Sequence, residues 1–224
     1  MGWDALNALS AEDREAVLQA IFSKDGACFN YCRLPMGAND FALSFYSSAD
    51  VAGDFNLVNF NIDRDRYILI PYIKAARQIN PDLRIWASPW CPPAWMKTNN
   101  HYASAVRPSG EKDVNGLLPR EAITEFSTGF RMEEGYLKTY ADYFARFIKA
   151  YEAEGLPLEC IHVQNEPCSN QVFPSCKWRT EDLTFFLGHY LGPTFERENI
   201  KTDIYFGTIN TSNPDYVRTA LRDE

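Results

Sequence analysis

Histidine is scarce in this chain. His101, His162 and His189 are the only three in 224 residues, and none stands in an HExxH or other metal-ligand spacing. No structural metal is expected and no cofactor is implied. The six cysteines (Cys28, Cys32, Cys91, Cys160, Cys168, Cys176) are spread thinly and include no CxxC pair, which excludes a zinc ribbon and a disulfide-built miniprotein. Free thiols are the favoured reading. Cys168 and Cys176 flank one loop and could bridge in an exported protein.

Long apolar runs are missing too, so no membrane span is read. No basic segment leads into an apolar one at the start, and residue 6 is Leu where a myristoylation signal wants Ser or Thr. No leader is therefore expected from these residues. Localisation stays open between the cytoplasm and, if residues precede Met1, secretion. Basic residues are outnumbered, 22 Lys and Arg against 30 Asp and Glu, for a net charge of −8. A nucleic-acid footprint needs the opposite balance. GxGxxG, P-loop and GxSxG signatures are all absent, which argues against a dinucleotide fold, a phosphate cradle and a serine nucleophile.

What is present is ample core material: 46% of the residues are hydrophobic and 14% aromatic. The chain is expected to form one globular domain, 1–224, without a linker or an internal repeat. Ser10 and Asp13 read as a capping box for a helix over 11–22, with Ala16, Val17, Ala20 and Ile21 as its stripe. Strands are expected at 27–34, 83–88, 158–164 and 201–207. Helices are expected at 63–80, where Pro71 is the objection, at 135–154, and at 180–198 capped by Thr180; another begins near Asn213. In the helix at 135–154, Tyr136, Tyr140, Tyr143, Phe144, Phe147, Ile148 and Tyr151 share one face and read as core. Strict alternation of helix and strand predicts an α/β fold with parallel strands and right-handed crossovers.

Chemistry in such folds gathers past the C-terminal ends of strands. Asp40, Trp90, Glu166 and Trp178 all fall there. Glu166 lies in Gln164-Asn165-Glu166-Pro167, where Pro167 ends the ladder and holds Glu166 away from helix. In an ideal pleat His162, Gln164 and Glu166 share a face, a polar row that needs partners or a function. Simple turn chemistry is the competing reading. Trp86, Trp90 and Trp95, stiffened by Pro89, Pro92 and Pro93, read either as a sugar-stacking surface or as a buried aromatic cluster. The stretch from there to about Arg131 reads as a polar excursion.

Three motifs, in order, resemble glycoside hydrolase family 30, the glucosylceramidase and β-1,6-glucanase family. They are Arg33-Leu-Pro-Met-Gly-Ala-Asn-Asp-Phe with Tyr46 and Asp54-Phe55-Asn56, then Ala87-Ser-Pro-Trp-Cys-Pro-Pro-Ala-Trp-Met-Lys-Thr-Asn99, then Gln164-Asn-Glu-Pro167. The resemblance covers nearly the whole chain. It implies a (β/α)8 TIM barrel acting by the retaining mechanism on a β-linked glucoside or glucan, with Glu166 as acid/base. It further implies that Asn165 binds the sugar 2-hydroxyl, that Asp40 and Trp90 line the sugar subsite, and that Arg33 supports the nucleophile. Trp178 is a weaker match as a binding residue. No protein partner is implied.

By the same resemblance the four strands are barrel strands 2 to 5. Strand 1, strands 6 to 8, the nucleophile expected on strand 7 and the family's β-sandwich would then lie outside this chain. The expectation is a partial barrel, inactive alone and exposed to aggregation at its open edges. The alternative is a non-catalytic carbohydrate-binding remnant.

Overall fold

A computed structural model describes residues 2–107 and 115–222. Residues 108–114, inside the expected excursion, lie outside the described part. Four short strands, β1 (Tyr31–Pro35), β2 (Arg84–Ser88), β3 (Cys160–His162) and β4 (Asp203–Tyr205), form one sheet in chain order, all parallel. The helices are α1 (Gly2–Asn7), α2 (Ala11–Phe22), α3 (Asp63–Tyr67), α4 (Leu69–Ile79), α5 (Glu134–Ala153), α6 (Thr180–Phe186), α7 (Gly192–Arg197) and α8 (Asp215–Ala220). Sequential parallel strands with helical crossovers are the arrangement of part of a (β/α)8 barrel.

The two sheet faces differ sharply. Leu34, Ile85, Ala87, Ile161 and Val163 point to the helices and join one continuous core, to which α5 contributes Tyr140, Tyr143, Phe144, Phe147, Ile148 and Tyr151. The other face carries a row of rings, one from each strand. Tyr31 stacks on Trp86 at 6.4 Å, Trp86 meets His162 at a tilt with centroids 4.3 Å apart, and His162 stacks on Tyr205 at 4.9 Å, nearly parallel. The row ends in half-exposed rings at the outer edges of β1 and β4.

Local chemistry explains where elements start and stop, including where the sequence reading missed. Ser10 caps α2, accepting from the Asp13 amide at 3.0 Å. Its buried face is Leu18 and Phe22 rather than Ala16, Val17 and Ala20, because the larger side chains at i and i+4 win the packing. The helix expected over 63–80 breaks at Ile68. Pro71 sits in the first turn of α4, where a missing N–H costs no hydrogen bond, and Tyr67 ends up exposed at the end of α3. The helix expected over 180–198 loosens into a π turn at Leu187–Leu191 just before Pro193, which cannot donate into an α ladder. Thr180 begins α6 instead of capping it, and its hydroxyl donates to the Tyr216 carbonyl. All six cysteines are free thiols. Among the described residues no helix is long and apolar enough to cross a membrane.

Candidate active site

The backbone past β3 sets the site. Asn165 N–H donates to the Pro89 carbonyl at 2.8 Å and Glu166 N–H to that of Thr208 at 3.2 Å, so this segment is held between the ends of β2 and β4. At Glu166 the chain turns left-handed, with φ of 48°. A non-glycine residue in that region is costly and persists only where its surroundings impose it. The pleat ends there, and the expected row of His162, Gln164 and Glu166 does not form. His162 belongs to the ring ladder, while Gln164 is fully buried. The Gln164 amide donates to the Trp90 and Asn165 carbonyls, both at 2.8 Å, and its oxygen accepts the Trp178 indole N–H at 3.3 Å.

Arg33, from β1, ties three strand ends together. Its guanidinium donates twice to Ser88 Oγ at the end of β2 and once to Asn165 Oδ1, at 2.8 Å. Its Cζ lies 4.0 Å from the Trp90 ring centroid and 4.9 Å from that of Trp86. Burial lowers this guanidinium to about 10, against the opposing pull of Asp40 and Glu166, so it stays charged at neutral pH. Thr208 Oγ1 also donates to Asn165 Oδ1, at 3.1 Å. With Oδ1 engaged twice, the Asn165 NH2 is the group left to offer a ligand.

Asp40 is exposed on the loop after β1, within electrostatic reach of Arg33. That loop leaves through Gly37, at φ of 82°, where a Cβ would lie 2.9 Å from the Tyr46 carbonyl; only glycine fits there. Trp90 is 8% exposed and has one face covered by Arg33. The structure thus brings Arg33, Asp40, Trp90, Asn165 and Glu166 to one end of the sheet. It does not bring Trp178 there. That ring is 1% exposed, stacked on Phe130 and Phe186, and supports Gln164 from below.

Sequence reasoning passed over Ser88, Thr208 and Gln171. Gln171 Nε2 donates to Glu166 Oε2 at 3.2 Å. A single amide in a polar loop has no period that could have marked it.

A parallel α/β sheet with a carboxylate, an amide and a half-buried arginine at its C-terminal end is the arrangement found in barrels of the enzyme type. The sequence profile of the glycosyl hydrolase family 30 TIM-barrel domain matches residues 3–116, and the chain belongs to that family. It is 30% identical over 197 residues to the lysosomal acid glucosylceramidase of Mus musculus, covering 84% of this chain and 34% of that protein. It is 27% identical over 219 residues to the endo-1,6-β-D-glucanase of Neurospora crassa, covering 96% of this chain and 41% of that one. Among solved structures, SrfJ from Salmonella typhimurium superimposes with a TM-score of 0.80 at 26% identity, over 99% of this chain and 45% of that one. The chain therefore spans less than half the length of these relatives.

Proposed function

We propose that this chain supplies the acid/base half of a retaining β-glycosidase site, acting on a β-linked glucoside or β-1,6-glucan. One observation carries the reading. Asn165 and Glu166 stand at the end of β3 with Arg33 bonded to the first and electrostatically engaged with the second. In this reading Glu166 protonates the leaving glycosidic oxygen, then as a carboxylate activates the water that releases the glycosyl-enzyme. Asn165 NH2 binds the 2-hydroxyl. Asp40 accepts from hydroxyls further along the sugar, and the rim of Trp90 packs against its C–H face.

A retaining site needs a second carboxylate about 5 to 5.5 Å from the first. We infer that this nucleophile comes from barrel strands beyond these 224 residues, and that Arg33 faces it. Gentiobiose and 4-nitrophenyl β-glucoside should then perturb the tryptophan fluorescence of the purified chain without being hydrolysed. Hydrolysis by the monomer would show that the nucleophile is already present, whereas no response to any β-glucoside would remove the sugar site. In a barrel completed with the second carboxylate, Glu166→Gln should abolish hydrolysis of β-1,6-glucan. It should spare glycosylation by 2,4-dinitrophenyl β-glucoside, whose leaving group needs no acid. Equal loss on both substrates would count against the acid/base role.

A further inference from the structure

Lys97 is fully buried, and among the described residues it forms no ion pair. A buried ammonium is tolerable only when its protons are all met by hydrogen-bond acceptors. Lys97 Nζ lies within hydrogen-bond distance of four oxygens: the carbonyls of Tyr102, Ala103 and Ser175 and the hydroxyl of Ser104, at 3.1, 3.1, 2.7 and 3.1 Å. The first two and the hydroxyl belong to the loop after β2, while Ser175 belongs to the loop after β3. A single cation therefore clamps the loop after β2 to the loop after β3, which carries Glu166.

The clamp continues without a gap to the carboxylate. Ser175 Oγ accepts the Gln171 backbone N–H and donates to the Gln171 carbonyl, both at 3.2 Å. The same carbonyl accepts the amides of Ser104 and Ala105, at 3.0 and 2.9 Å. Asn115 bridges the loops a second time, donating to Ala105 O and Val172 O. The backbone of Gln171 is thus fixed on both sides, and its side chain is aimed at Glu166 Oε2.

We propose that Gln171 is a positioning residue for the Glu166 carboxylate and that buried Lys97 sets where Gln171 stands. An amide NH2 can donate but not accept, so the oxygen it meets cannot also carry a proton toward it. Gln171 assigns Oε2 the acceptor role and leaves Oε1 as the oxygen that bears the proton and faces a glycosidic bond. This consequence rests on Glu166 being the acid/base. The positioning itself does not.

Side-chain amide NMR of the intact 224-residue chain separates the two. Wild type should show a downfield Gln171 NH2 proton, identified by its loss in Gln171→Leu. Glu166→Ala should move that proton to the position of a solvated amide. Ser175→Ala, which removes both serine bonds to the Gln171 backbone, should do the same with backbone amide signals of α5 unchanged. Lys97→Met should reproduce the effect where the chain still folds. An unchanged signal in Glu166→Ala overturns the contact, and an unchanged signal in Ser175→Ala overturns its control by the loop clamp. Neither outcome depends on turnover, so failure of the acid/base reading would appear separately, in the substrate experiments.

Discussion

Single residues here are decided by who their partners are. Asp65, on α3, is fully buried and accepts hydrogen bonds from Tyr46 at 3.1 Å and Tyr151 at 2.8 Å. Burial raises its carboxyl to about 6, although both tyrosines and Arg64 work the other way. A folded-state value above the unfolded 3.8 means that proton binding favours the fold. That contribution is complete below the unfolded value and is lost as pH rises through 6. Wild type should therefore gain on Asp65→Asn by on the order of 2 to 3 kcal/mol between pH 8 and pH 4, read from urea unfolding. His101 and His162 act in the opposite sense. Burial lowers both, so their contribution fades as pH falls below the ordinary histidine value, and the comparison between the two proteins cancels them. At this scale the sequence was a partial guide. Arg33 and Glu166 could be singled out because a strand end or a proline marks them, whereas Asn165 was reached only through the family resemblance. Gln171 could not, and Trp178 looked like a ligand face because sequence shows that a ring lies on a loop, not whether the loop folds back into the core.

Helix α5 shows what is legible at the scale of an element and what is not. Its seven aromatic and apolar positions recur at helical spacing, and the helix falls within a residue of the span that spacing predicts. The same spacing says nothing about whether each hydroxyl on that face finds a partner. Tyr143 accepts the Ser48 amide and Tyr151 donates to Asp65, but the buried Tyr140 hydroxyl has no hydrogen-bond partner among the described residues. Tyr140→Phe keeps the ring and removes an unsatisfied polar group, so it should raise stability by about 1 kcal/mol in chemical denaturation. A loss of that size would mean that the hydroxyl is met by water. The strands were the least legible elements. Each came out shorter than its apolar run because pairing, not composition, ends a strand; β3 keeps three residues of an expected seven. The π turn before Pro193 could be traced to the proline only once the helix was seen.

Over the whole molecule, the feature that decides behaviour is the sheet's two open sides. Among the described residues β1 and β4 each have one neighbour; a cavity of about 470 Å³ lies beside β1, and one of about 570 Å³ lies just past β4, between Phe206, the π turn and α8. Phe29 and Tyr31 on one side and Tyr205 on the other are about half exposed, and Leu221 is largely exposed. Unpaired parallel edges flanked by apolar grooves invite association. Light scattering should show the average mass of the purified chain rising with concentration, and Tyr205→Lys, which sets a charge on one edge, should blunt that rise. A strictly monomeric chain at high concentration would contradict this. The α/β class and parallel order were legible from alternation alone, whereas the ring ladder was not. It needs the register of four strands, which no single strand's pattern contains.

The left-handed turn at Glu166 has one more consequence. A backbone with φ of 48° suits glycine or asparagine better than glutamate. At this position the residue that the fold would prefer and the residue that the proposed acid/base role requires are different, so selection for stability alone would erase the carboxylate. A glutamate kept there through sequence divergence is a sign that the chemistry is in use, and a glycine or asparagine in its place would mark a relative that has given up catalysis for a more relaxed chain.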